Sequence, residues 1–279
     1  MKKTKVKIPA KLNLTLNVLG LEAGYHQIES LVCSISLYDT ITVKSRSDGS
    51  IRLKCEGIPL DCPTTNNNAY ITAEKLSKKY NLSGVDLLVR KGIPVGGGLG
   101  GSSADIAGVI NACKKHFKFT DDLTEFASDL GSDCAYMLKG GYALLKGRGE
   151  KVEFLNLNKR LYFLIVACDK SVSARECYAR FDALGKAGLN QTELAVDLLK
   201  KGDIKGLVGV INNDLELPAC EIENKIALNL GALRAVSNGF MTGSGSATFA
   251  VFESKKQRDR AYKLLKYRFG KDLIKAHSV

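Results

Sequence analysis

Ile93-Pro94-Val95-Gly96-Gly97-Gly98-Leu99-Gly100-Gly101-Ser102-Ser103-Ala104-Asp105 sits directly before a helix-forming stretch near the middle of the chain. Five glycines in the six positions from Gly96 to Gly101 leave almost no side chain to block a ligand, so several backbone N–H groups are free to converge on one small space. Ser102 to Lys115 reads as the helix, with serines at its start and Ile106, Val109, Ile110 and Cys113 forming an apolar stripe. A helix N-terminus adds orphan donors and a partial positive charge, and the combination suits a phosphate. The run fits GxGxxG only through glycine abundance, and no lysine follows Gly101 as GxxxxGK[ST] would require. The alternative is a flexible linker, which the apolar helix immediately after it argues against.

Outward from the run the elements alternate. Towards the N-terminus, Lys11 to Val18 alternates strictly, with Leu12, Leu14, Leu16 and Val18 facing a core and Lys11, Asn13, Thr15 and Asn17 sharing the other face. Strands are expected at Leu31 to Leu37, Thr40 to Val43 and Ile51 to Cys55, then a helix from Ala69 to Tyr80 and a strand from Val85 to Val89. Past the run's own helix, another spans Leu123 to Leu130, with Asp121 or Asp122 as cap and Gly131 as stop. The second half opens on a strand, Leu161 to Ala167, and continues with helices at Ala174 to Leu184, Thr192 to Lys200, Ile204 to Asn212 and Ile222 to Leu230. It closes with a strand at Ala247 to Phe252 and a basic helix at Lys255 to Phe269. Sheet and helix mix without a regular βαβ repeat, which gives an α+β class. A chain of 279 residues is expected to form two domains, 1–157 and 158–279.

Composition narrows the function classes. Apolar residues at 45% and charged residues at 25% are those of a globular protein. Lys and Arg total 41 against 29 acidic residues, and the resulting charge of +12 favours polyanions, either phosphorylated small molecules or nucleic acid. Nucleic acid is not expected, because Tyr262, Leu264, Leu265 and Phe269 in the basic segment Lys255 to Lys275 are expected to pack inward rather than interleave with the cations. The eight cysteines form no CxxC pair and have no histidine at ligand spacing, so they read as small buried hydrophobes kept reduced, and no metal site is expected. Pro9, Lys11, Asn13 and Thr15 interrupt Met1 to Leu16, and no apolar run is long enough to span a membrane. A cytoplasmic protein without a membrane partner is expected.

Thr242-Gly243-Ser244-Gly245-Ser246, before the strand at Ala247, is either a second phosphate-facing run or a plain tight turn. Pro9-Ala10-Lys11-Leu12-Asn13-Leu14, the central run and Thr242 to Ser246 occur in the order found in the GHMP small-molecule kinases, and the chain resembles that superfamily from Pro9 to Ser246. Gly24-Tyr25-His26, Leu130-Gly131-Ser132-Asp133, Gly149-Glu150 and Asn213-Asp214-Leu215-Glu216 make it most similar to the branch that phosphorylates the 2-hydroxyl of 4-diphosphocytidyl-2-C-methyl-D-erythritol in non-mevalonate isoprenoid synthesis.

The resemblance implies a fold and a set of roles. The fold would be a ribosomal-protein-like N-terminal domain followed by a ferredoxin-like C-terminal domain; the reactants would be ATP with Mg²⁺ and a phosphorylated or nucleotide-linked alcohol. Pro94, Gly96, Gly97, Gly98, Leu99, Gly100, Gly101, Ser102 and Ser103 would hold the ATP phosphates. Asn68 would contact the adenine side, although it is equally placed to cap the helix starting at Ala69. Asp133 matches the base that takes the acceptor's proton, and Lys11 the lysine that neighbours it; on residues alone, Asp133 is a cap or turn residue and Lys11 an exposed strand lysine. Asn13, Thr242, Gly243 and Ser244 fall on the acceptor side. Tyr25 and His26 would recognise a cytosine ring, with Tyr178 either on the other face of the base or in the core beneath its own helix.

The chain departs from that branch at three places. Ser102 and Ala104 stand where it usually has a third glycine and a serine, and Cys134-Ala135 where Val-Pro follows the aspartate. The first change returns the loop to the general superfamily form and leaves ATP binding intact. Another alcohol as acceptor, or a non-catalytic nucleotide or sugar sensor, stays open on these residues. Lys11, Asp133 and the loop glycines, which an active kinase requires, are all present.

Overall fold

A computed structural model describes residues 3–59, 62–185 and 187–279. In chain order the strands are β1 (Lys3–Asn13), β2 (Thr15–Glu22), β3 (Tyr25–Ser45), β4 (Ile51–Gly57), β5 (Val85–Lys91), β6 (Tyr142–Gly147), β7 (Lys151–Leu155), β8 (Tyr162–Val166), β9 (Asn212–Asn213), β10 (Phe240–Met241), β11 (Thr248–Phe252) and β12 (Leu273–His277). The helices are α1 (Asn68–Tyr80), α2 (Gly101–Phe117), α3 (Thr124–Ser128), α4 (Cys134–Lys139), α5 (Ala174–Leu184), α6 (Thr192–Lys201), α7 (Ile204–Val210), α8 (Glu216–Ile222), α9 (Asn224–Arg234) and α10 (Lys255–Phe269). The chain divides into two compact units whose segments interleave along the sequence: 1–10, 37–95 and 100–140 form the first, and 11–36, 96–99 and 141–279 the second.

In the first unit β5 lies between β4, which runs parallel to it, and the second half of β3, which runs antiparallel. Leu53 and Val43 both face Leu87 in register, and Cys55 and Ile41 both face Val89. The β4–α1–β5 connection is the helical crossover that a parallel pair needs. Ile41, Val43, Leu87 and Val89 are buried with Leu76 of α1 and with Val109, Ile110 and Cys113 of α2, so the 3.6-residue apolar stripe read from the sequence is the face that α2 turns to the core. Asn67, not Asn68, caps α1: its Oδ1 accepts from the Ala69 N–H at 2.9 Å. The serines expected to cap α2 do not; the helix starts at Gly101, behind a left-handed Gly100 with φ 77°, and no side chain caps it.

In the second unit the first half of β3 pairs antiparallel with β2 and with β6, and β6 with β7. β2 also runs parallel to β9, with Thr15 opposite Asn212. A second, antiparallel sheet has the order β10-β11-β8-β12. Leu164, Val166, Ala250 and Phe252 of its β8 and β11 strands are buried with Leu233 of α9 and with Ala261 and Leu265 of α10.

Three sequence expectations are corrected. The two strands read on either side of Asp39 are one strand of 21 residues, because Asp39, 0% exposed, is neutralised in place by Lys91 rather than breaking the strand to reach water. The face shared by Lys11, Asn13, Thr15 and Asn17 is buried as fully as the apolar one, so the reading of Lys11 as an exposed strand lysine falls; Thr15 Oγ1 lies 2.8 Å from Thr192 Oγ1, and Thr192 Oγ1 donates to Asn17 Oδ1 at 3.0 Å. Finally, β12, α4 and α8 form in stretches read without regular structure. Among the described residues no helix is long and apolar enough to cross a membrane, and all eight cysteines are free.

Candidate functional site

The two glycine runs meet within the second unit. Ala247 N–H donates to the Gly97 carbonyl at 3.1 Å, and the Thr242 carbonyl accepts from Gly245 N–H at 3.0 Å. A Cβ on Gly98 would lie 2.3 Å from the Thr242 carbonyl oxygen, so only glycine allows the turns to approach this closely. Gly96, Gly98 and Gly100 have φ of 68°, 72° and 77°, and left-handed residues at every second position produce the kind of backbone in which successive N–H groups face one anion. Gly243 is buried and Ser244 half-buried in the same turn.

Lys11 and Asn13 join this turn. The Lys11 backbone N–H donates to the Leu99 carbonyl at 3.0 Å, and Lys11 Nζ donates to Asn13 Oδ1 at 2.6 Å. Asn13 N–H donates to Thr242 Oγ1 at 3.0 Å, and Asn13 Nδ2 to Ser30 Oγ at 2.8 Å. Lys11 is 5% exposed, so it is not the surface lysine that alternation alone allowed. A buried ammonium is retained where its charge is used or matched.

Tyr25, His26 and Tyr178 also lie in the second unit, at the start of β3 and on α5. His26 stacks on Tyr178, with centroids 4.5 Å apart and planes at 19°, and its Nε2 lies 2.8 Å from Asp182 Oδ1. Tyr25 is exposed and carries the Arg148 guanidinium 4.9 Å from its ring centroid. Asp182 and Arg148 were not singled out from the sequence. Asp182 lies four residues after Tyr178, on the same helix face, and Arg148 is inside the Gly147-Arg148-Gly149-Glu150 turn; both signals were present.

In the first unit Asn68 Nδ2 donates to Ser102 Oγ, which brings the expected adenine-side residue to the start of α2. Asp133 is half-buried immediately before α4, and its side chain makes no capping bond to that helix. Its neighbour Cys134 is within hydrogen-bonding reach of Ser103, and burial pushes the Cys134 thiol up to about 11, so it stays protonated. Ser103 and Asp133 are thus one residue removed from each other through Cys134, the position where this chain departs from its branch. Pro94 is half-buried ahead of the run.

The model of the GHMP kinases N terminal domain matches residues 67–143. The chain is 37% identical to a 4-diphosphocytidyl-2-C-methyl-D-erythritol kinase of Caldanaerobacter subterraneus subsp. tengcongensis, over 95% of this chain and 93% of the relative. The chain belongs to the 4-diphosphocytidyl-2-C-methyl-D-erythritol kinase family. A second member of that kinase family, from Desulfitobacterium hafniense, is 33% identical over 90% of this chain and 88% of its own length. The crystal structure of a 4-(cytidine 5'-diphospho)-2C-methyl-D-erythritol kinase matches with a TM-score of 0.81 at 27% identity, covering 99% of both chains. The α+β, two-domain GHMP kinase fold expected from the motifs is therefore the fold of this chain.

Proposed function

We propose that the protein transfers the γ-phosphoryl group of ATP to the 2-hydroxyl of 4-diphosphocytidyl-2-C-methyl-D-erythritol, in the cytoplasm and as a step of isoprenoid synthesis. The observation that carries this is the junction of the two glycine runs beside the buried Lys11–Asn13 pair, in a chain of this kinase family. Pro94 and Gly96 to Ser103 bind the phosphates, and Asn68 lies on the adenine side. Phosphoryl transfer needs little beyond positioning and charge compensation, which a backbone cradle and a lysine provide. Mg²⁺ would come with the nucleotide, with phosphate oxygens and water as its main ligands. When bound, it neutralises charge on the transferring group.

Asp133 takes the proton of the acceptor hydroxyl as it attacks, and Lys11 compensates the charge that develops on that oxygen. Asn13 holds Lys11 Nζ in place, and Thr242, Gly243 and Ser244 contact the acceptor. Tyr25, His26 and Tyr178 recognise the cytosine. With His26 Nε2–H donating to Asp182, Nδ1 is left as an acceptor, which matches the exocyclic amine of cytosine and mismatches the carbonyl oxygen of uracil. The test is ADP release from ATP and Mg²⁺ with this acceptor and with a panel of sugars, amino-alcohols and mevalonate. Release with the cytidine-linked alcohol alone is expected; release with another alcohol in its place, or with none, refutes the assignment.

A further inference from the structure

Behind the glycine run lies a buried ionic knot that the roles above leave unused. The Lys91 side chain is 2% exposed, and those of Asp39 and Asp105 are 0% and 7% exposed. Lys91 Nζ donates to Asp39 Oδ2, to Asp105 Oδ2 at 2.7 Å and to the Gly101 carbonyl at 3.2 Å, which uses all three of its protons. Asp39 Oδ1 accepts from the backbone N–H groups of Gly92 at 2.7 Å and Ile93 at 3.0 Å. Residues Lys91 to Ile93 lead into the glycine run, and Gly101 and Asp105 lead out of it in the opening turns of α2. One ammonium therefore grips the chain on both sides of the same loop, and Asp39 ties that grip to β3.

Stability alone does not account for the knot. Desolvation offsets most of the attraction in a buried ion pair, and here two carboxylates share one lysine while Asp105 Oδ1 is buried with no hydrogen-bond partner among the described residues. An apolar trio of similar volume would fill the space without that cost. A loop of mostly glycine, however, has more backbone freedom to lose than any other sequence, and anchoring its two ends removes much of that freedom before a ligand arrives.

We propose that Lys91 is a positioning residue for the nucleotide: through Asp39 and Asp105 it staples the two ends of the glycine loop, so that the N–H groups between them stay aimed at the phosphates. This rests on the assignment of the loop to ATP. Asp105→Ala cuts the leg to α2 and leaves Lys91 matched by Asp39, whereas Asp105→Asn keeps an oxygen to accept from Nζ. In a folded D105A the KM for ATP rises by about fivefold or more, the KM for the acceptor stays within about twofold, and D105N restores both to within about twofold of wild type. An unchanged ATP KM in folded D105A, equal rises in both KM values, or a D105N as impaired as D105A overturns the staple. Should D105A fail to melt cooperatively, Lys91→Met in the D105N background is measured against D105N by the same criteria; if that also fails to fold, the knot is structural only and the proposal falls. A wild-type protein that releases no ADP overturns the kinase assignment instead, so the two failures are told apart.

Discussion

Gly98→Ala puts the convergence of the two glycine runs to a quantitative test. The new Cβ would lie 2.3 Å from the Thr242 carbonyl oxygen and 3.1 Å from that of Gly245, on a residue whose φ is 72°. Two independent penalties follow: holding alanine in a left-handed conformation costs about 1–2 kcal/mol, and forcing a methyl against packed backbone costs about 1–3 kcal/mol. Their sum, about 2–5 kcal/mol, lowers the melting temperature by something on the order of 10 °C. Gly49→Ala is the control, with φ of 70° and nothing within 4 Å of its Cβ, so it incurs the first penalty alone. The functional effect differs more sharply. Relieving the clash displaces a turn that hydrogen-bonds Asn13 and through it Lys11, and losing one well-aimed hydrogen bond to a phosphate, worth about 1.5–3 kcal/mol, raises the KM for ATP by roughly 10- to 100-fold. Calorimetry and initial-rate kinetics on the two variants read both quantities. A G98A protein that melts with G49A and keeps the wild-type ATP KM refutes the convergence.

Three further outcomes are expected. Asp133→Asn lowers kcat by roughly 10²- to 10⁴-fold with little change in melting temperature, because asparagine keeps the shape of the side chain; near-wild-type turnover removes Asp133 from the proton transfer. Asp182→Ala frees the tautomer of His26, so the preference in kcat/KM for a cytidine-linked over a uridine-linked acceptor shrinks, whereas an unchanged ratio means that Asp182 does not orient the ring. Stability carries a pH signature at Asp105, whose carboxyl burial pushes up to about 6 from an ordinary 3.8, facing Lys91 on β5, Asp39 on β3 and Cys55 on β4. The native state holds a proton there that the unfolded chain releases, so wild-type stability falls relative to D105N as the pH rises from about 4 to 6 and the difference then levels off. A melting-temperature difference that is constant from pH 4 to 8 would count against the raised carboxyl.

What the sequence made legible follows from where each interaction is encoded. Helices α1, α2, α5 and α10 were readable because their apolar spacing is local. The continuity of β3 through Asp39 was not, since the lysine that permits it is 52 positions away. Nor was α8, whose Pro218 suggests a break; the proline falls in the first turn, where its missing N–H is not needed. β12 is a short Leu-Ile-Lys-Ala-His segment made a strand by pairing with β8, a tertiary cause no local pattern carries. At the site the loop, Lys11, Asn13 and Thr242 were legible as motifs, but the burial of Lys11 and the Lys91 knot depend on contacts between distant segments.

The bond from Asn13 to Thr242 spans 229 residues, and that has a consequence for biosynthesis. At roughly 5–20 residues per second, a ribosome takes about ten to fifty seconds to go from one partner to the other. During that interval the strand carrying Lys11 has been made while the turn that anchors it has not. A nascent or prematurely terminated chain that ends between Gly140 and Thr242 contains every segment of the first unit, yet lacks half of the paired glycine turns. Phosphotransfer competence is therefore acquired late, and no product truncated before Thr242 is expected to consume ATP in the cell.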